Sequence, residues 1–159
     1  HLDRALADLS KAKTEPQRFY ALNDAAKESF NAGNIEAARN YAEELMRLAL
    51  KYPDNGNYGN AVQDANLVLG RIAVREGRIN DAKKFLLASA DSNGSPTMNS
   101  FGPNMSLALD LLKAGEKDVV LEYFKRCRKF WTLHPEKLNQ WASDVQRGRT
   151  PDFGANLVY

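Results

Sequence analysis

Three glycines constrain this chain more than any other feature. Gly33, Gly77 and Gly115 each follow a small residue at the seventh position back, Ala26, Gly70 and Ala108 respectively. Each also precedes an apolar residue at the fifth position on, Ala38, Ala82 and Val120. The glycines lie 44 and 38 residues apart, the periodicity of stacked helix pairs whose helices run about a turn longer than in a minimal 34-residue unit.

The middle copy, 66-NLVLGRIAVREGRINDAKKFLLASA-90, shows how such a unit folds. Leu69, Ile72 and Ala73 fall on one helical stripe, and Ile79, Ala82, Phe85 and Leu86 on the next. Gly77 between them fits a left-handed C-terminal cap, which a residue without Cβ adopts at least cost. Two antiparallel helices are expected, crossing closely where Gly70 and Ala82 leave room for the backbones.

This pattern resembles the tetratricopeptide repeat. Leu69, Gly70, Gly77, Ala82 and Leu86 match its hallmark best. Ala26, Gly33, Ala38 and Pro53 match in part, and so do Leu107, Ala108, Gly115 and Phe124, with Val120 where alanine is usual. The resemblance spans residues of about 16 to 132 and lacks the early tryptophan of the family. It implies an all-α, right-handed superhelical α-solenoid of antiparallel helix pairs. The expected organisation is one domain over 1–148, with repeats at about 16–53, 58–91 and 96–132 and a tail at 149–159.

Terminal capping helices complete the expectation. Leu2, Leu6 and Leu9 space a short amphipathic helix, and Thr14, Pro16 and Gln17 supply the N-cap, first-turn proline and return contact that start another. Near the far end, 135-PEKLNQWASDVQRG-148 places Leu138, Trp141 and Val145 on one face, so a helix over 135–147 should cover the last repeat. The following segment, 149-RTPDFGANLVY-159, has turn chemistry and apolar residues that suit docking.

Composition narrows the functions. Twenty-two Lys and Arg against 20 Asp and Glu leave a net charge of +2, without the basic excess of a nucleic-acid binder. The basic run 125-KRCRK-129 spreads around a helix and reads as a solvated face. No stretch reaches the roughly 18 to 20 apolar residues of a membrane span. The chain starts at His1, so it is expected to be a mature or trimmed form, with the compartment left open.

Catalytic signals are sparse. His1 and His134 have no nucleophile placed beside them, and no HExxH, P-loop, GxGxxG or serine elbow occurs. Cys127, the single cysteine, sits in an apolar stripe with Phe124, Phe130 and Trp131 and reads as a core residue. The carboxylates Glu43, Glu44, Glu15 and Asp24 read as solvated. Neither a catalytic residue nor a metal or cofactor is assigned.

Surface recognition remains. In the tetratricopeptide family the first helix of each pair lines a concave groove that binds extended peptides or protein tails. The resemblance implies that this groove presents Asn23, Lys27 and Asn31 from the first pair, Asp64, Arg71 and Arg75 from the second, and Asn104, Met105 and Leu109 from the third. Asparagine can both donate to and accept from a peptide backbone, and arginine can grip a carboxylate in a fork.

A second polar cluster lies at 52-YPDNGNYGNAVQDAN-66, where turn chemistry precedes a helix start at Tyr58 or Asn60. Capping leaves Tyr52, Tyr58 and Asn66 unexplained there, which makes the repeat junction a second candidate surface. The stretch 99-NSFGPNMSL-107 aligns Leu107 and Ala108 with Leu69 and Gly70. Pro103 is tolerable only in a first helical turn, so a helix should start near Gly102, or kink there if it began after Ser95 and Pro96. Asn99 and Asn104 then stand at a groove rim as contact residues.

The leading expectation is a non-enzymatic adaptor that binds a protein or peptide in this groove. The alternatives are an assembly module of a secreted or cell-envelope complex, using its convex face or the 149–159 tail, and a small-ligand binder or enzyme at a pocket of Tyr58, Asn66, Asn99 and Asn104. A homo-oligomer is compatible with each.

Overall fold

The computed structural model describes residues 1–158, and every regular element within them is helical. The order is α1 (Leu2–Lys11), α2 (Glu15–Asn31), α3 (Ile35–Lys51), α4 (Tyr58–Arg75), α5 (Ile79–Ser89), α6 (Pro96–Phe101), α7 (Ser106–Lys113), α8 (Lys117–Cys127) and α9 (Pro135–Gln146). A 3-10 turn at Gly154–Leu157 comes after α9.

Local chemistry starts these helices where the sequence indicates. The Thr14 hydroxyl accepts the Gln17 amide at 3.3 Å, and Gln17 Oε1 accepts the Lys13 amide at 2.8 Å, so each satisfies a donor at the α2 entry. Ser95 caps α6 in the same way, accepting the Met98 amide at 3.0 Å ahead of Pro96. The glycine caps also hold. Gly77 has φ +75°, its amide donates to Val74 O, and the Arg78 amide reaches back to Ala73 O at 2.8 Å. That paired closure is the Schellman arrangement, and it recurs at Gly33 (Asn34 amide to Ser29 O) and Gly115 (Glu116 amide to Leu111 O).

The same closure occurs a fourth time, at Gly148, where the Arg149 amide donates to Asp144 O. Trp141 then occupies the place of Ala26, Gly70 and Ala108, and Phe153 the place of Ala38, Ala82 and Val120. Helix α9 thus repeats the first helix of a pair. No second helix comes after it within the described residues; Phe153 folds back instead onto Trp141, with ring centroids 5.1 Å apart.

Packing obeys the pairs. Helix α2 lies against α3, α4 against α5, and α7 against α8, while α2, α4 and α7 also pack in succession. The core runs through the stack as three clusters. Phe19, Leu22, Leu45 and Leu48 form the first; Ala26, Phe30, Val68 and Ile72 the second; and Leu86, Leu107, Tyr123, Phe124, Trp131 and Trp141 are among the third. This is an all-α fold of repeating helix pairs, consistent with a helical solenoid.

The small-residue rule operates at its tightest at Gly70, where a Cβ would lie 2.3 Å from Leu107 Cδ2 and 3.0 Å from Phe85 Cβ. Two carboxylates depart from expectation, and one of them, Glu15, is bonded by Lys51 and Tyr52, which hold its carboxyl below its ordinary range. Glu44 is not solvated but pinned by the Arg18 guanidinium through two hydrogen bonds, which joins α2 to α3 and holds the Glu44 carboxyl below its ordinary range.

The third unit departs more. Its first helix starts after Ser95, stops at Phe101, and resumes only at Ser106. Gly102 has φ +93°, and Pro103 lies in the connector rather than in a helical turn. The break is wider than a kink because foreign partners take over its backbone groups. Gln63 Oε1 accepts the Asn104 amide at 2.9 Å, Asn156 O accepts the Met105 amide at 2.7 Å, and the Asn156 side chain donates to Phe101 O and Pro103 O.

Candidate functional site

Two adjoining open clefts, together called the channel, lie along α2, α4 and the α6–α7 break. Helix α4 supplies its floor through Asn60, Gln63, Asp64, Leu67, Val68 and Arg71. One wall is α2, presenting Tyr20, Asp24, Lys27, Glu28 and Asn31. The other is built from Thr97, Gly102, Asn104, Ser106 and the tail residues Leu157 and Val158. Its deeper part encloses about 270 Å³, and Asp24, Lys27 and Asp64 are shared with the shallower part beside Tyr20.

A polar chain crosses the floor. Asn57 Nδ2 donates to Asn23 Oδ1 at 2.8 Å, Asn23 Nδ2 donates to Asp64 Oδ2 at 2.9 Å, and Lys27 Nζ lies 3.4 Å from the same oxygen. Asp64 is buried, and desolvation raises its carboxyl above the ordinary range, with Lys27 and the Asn23 amide only partly offsetting it. Burial alone would depress Lys27; Asp64 and Asp24 outweigh that and leave its ammonium raised. Farther along, Arg71 Nε bonds Asp110 Oδ2 at 2.8 Å, and the guanidinium groups of Arg71 and Arg75 lie 4.9 and 4.3 Å from the Phe30 ring centroid.

Of the residues expected on the groove from sequence, Lys27, Asn31, Asp64, Arg71 and Asn104 line the channel together. Asn23 stands beneath it in the polar chain and borders the shallower part. Arg75 is exposed at the end of α4, over Phe30.

Other expected positions do not lie on this surface. Met105, expected as a groove contact, is fully buried in the third core cluster, because the break turns its side chain inward while its amide faces Asn156. Leu109 packs against the same cluster. Asn66 is buried toward α3, where its amide donates to Val62 O and reaches Met46 Sδ. Tyr58 borders a separate cleft between the 53–56 turn and the 91–95 connector. The Asn99 Oδ1 is buried near Gly94 and lacks a hydrogen-bond partner. The four residues expected to form a small-ligand pocket thus point to different places.

Tyr52, left unexplained by capping, also has a structural duty: it stacks on Phe19 and donates to Glu15. Sequence reasoning missed Tyr20, Asp24 and Glu28. A signal was present, since Tyr20, Asp24, Lys27 and Asn31 succeed one another at helical spacing and so share a stripe. Leu157 and Val158 carried no local signal, because long-range contacts set their path.

Among the described residues there is no group of three or more His, Cys, Asp or Glu arranged to hold a metal ion, and no helix long and apolar enough to cross a membrane. Comparison with known protein families, curated proteins and solved structures returned no match.

Proposed function

We propose that this protein is a non-enzymatic interaction module, a right-handed superhelical solenoid of the tetratricopeptide type, which binds an extended peptide or protein segment in its channel. The observation that carries this reading is the convergence of α2, α4 and the α6–α7 connector on one trough, with backbone-competent amides and charges of both signs along it. The four Schellman closures in one register support the repeat assignment. The lining also suits a peptide: Phe30, Leu67 and Val68 offer apolar floor, while Asp24, Glu28 and Asn31 offer polar groups at the rim.

The test is an affinity capture of co-purifying partners with Asp24→Lys/Glu28→Lys and, as a control, Glu43→Lys/Lys84→Glu away from the channel. Recovery should fall at least tenfold with the channel pair and stay unchanged with the control. Equal recovery with the channel pair and the native chain would remove the groove as the binding surface.

A further inference from the structure

The segment that ends the described chain is itself a peptide seated at one end of the channel. After Phe153, which is anchored among Phe124 and Trp141, only Asn156 is buried as far as Val158. Asn156 makes three hydrogen bonds to the broken helix: side-chain Nδ2 to Phe101 O at 2.9 Å and to Pro103 O at 3.1 Å, and main-chain O from the Met105 amide at 2.7 Å. Leu157 and Val158 then border the cavity opposite Leu67, Val68 and Arg71, with Val158 79% exposed.

Two features make this a recognition niche rather than a simple end cap. First, the niche reads main chain and amide, not a unique shape: two carbonyls converge on one carboxamide and one amide meets one carbonyl, the complement of an extended peptide carrying asparagine. Second, the hold is divided. The apolar anchor lies before the turn, and beyond it the hold is the three Asn156 hydrogen bonds, with Leu157 and Val158 exposed.

We propose that the gap between α6 and α7 is a binding niche for an extended peptide in which asparagine is succeeded by aliphatic residues. Residues 155–158 fill it in cis and are displaced by such a peptide in trans. This rests on the reading of the channel as a peptide groove and adds the chemistry of its occupant. Cis occupancy also sets a threshold, because a tethered segment competes at an effective concentration in the millimolar range for a short linker.

The test uses the acetylated peptide corresponding to 154-GANLV-158, titrated into isotope-labelled protein and monitored at the Met105 amide by NMR. In a chain ending at Gly154, shown folded by circular dichroism, the Met105 resonance should shift saturably. Alanine in place of the peptide's asparagine should weaken binding at least tenfold, and the full chain should respond at least tenfold more weakly than the shortened one. No shift in the folded, shortened chain, or equal responses from both chains, would overturn the proposal.

Native-state hydrogen exchange on the intact chain gives a second readout that needs no truncation. The Met105 amide should exchange through an opening with little urea dependence while the amides of Tyr123 and Phe124 stay protected. Exchange of Met105 together with those amides, with their urea slope, would make the tail an integral part of the fold and overturn displacement. Unchanged partner recovery with Asp24→Lys/Glu28→Lys would instead count against the groove reading, leaving the Met105 readouts to judge the niche.

Discussion

Replacing Lys27 with methionine tests the electrostatics of the channel floor. Lys27 is the one cation within 4 Å of Asp64 among the described residues, at 3.4 Å, and Asp64 is buried beneath it. A unit-charge pair at that distance is worth about 5 kcal/mol at an effective dielectric constant of about 20. The Lys27 side chain is 29% exposed, so water recovers part of that on its removal. Breaking a fully buried pair costs about 3–5 kcal/mol, and the partial exposure brings the expected loss to about 1.5–3 kcal/mol at pH 7.

The sign with pH is set by Asp64. Its folded carboxyl titrates above its unfolded value of 3.8, so the folded state binds the extra proton, and stability falls as pH rises through that window. Without Lys27 the window widens upward. The deficit of Lys27→Met should therefore be largest at pH 7 and shrink toward pH 4. Adding Asp64→Asn, which keeps an acceptor for Asn23 and removes the charge, should recover most of it. Urea unfolding at several pH values measures each contribution. A deficit that is flat between pH 4 and 7 and insensitive to Asp64→Asn would refute the reasoning.

Other perturbations probe the packing. Gly70→Leu should cost more than about 3 kcal/mol by urea unfolding, since even one added carbon meets Leu107 and Phe85; in a Leu107→Ala background Gly70→Ala should cost less than it does in the native chain, with the 3.0 Å approach to Phe85 Cβ remaining. Gly102→Ala should cost at least about 2 kcal/mol, because φ is +93° and a Cβ would lie 2.6 Å from the Trp131 ring. Cys127 is buried and its thiol is pushed well up by desolvation, so it should resist a thiol reagent in the native state and react once urea unfolds the chain.

Legibility in the sequence tracks the range of the forces involved. Helix starts at Thr14 and Ser95 and stops at Gly33, Gly77 and Gly115 depend on hydrogen bonds within a few residues, so local letters disclose them. On α2, Lys27 and Asn31 were expected only through the family resemblance, and the helical spacing that places Tyr20 and Asp24 on the same stripe went unused. The break at Gly102 was legible as a disturbance but not in its extent, because Gln63 and Asn156, 41 and 53 residues from their partners Asn104 and Pro103, satisfy its amides and carbonyls. Met105 was expected on the groove, but it is fully buried in the third core cluster. Asn66 combines both ranges, its amide bonding the Val62 carbonyl four residues back and reaching Met46 Sδ on α3.

The central claim is that the channel, and not the outer helices, holds the partner. A photo-crosslinking residue at Glu28 or Thr97, compared with one at Glu43 or Lys84, tests it most directly in the presence of a co-purified partner. Cross-links from Glu28 and Thr97 to one contiguous partner peptide, absent from Glu43 and Lys84, are the expected result. Cross-links confined to Glu43 and Lys84 would contradict the account.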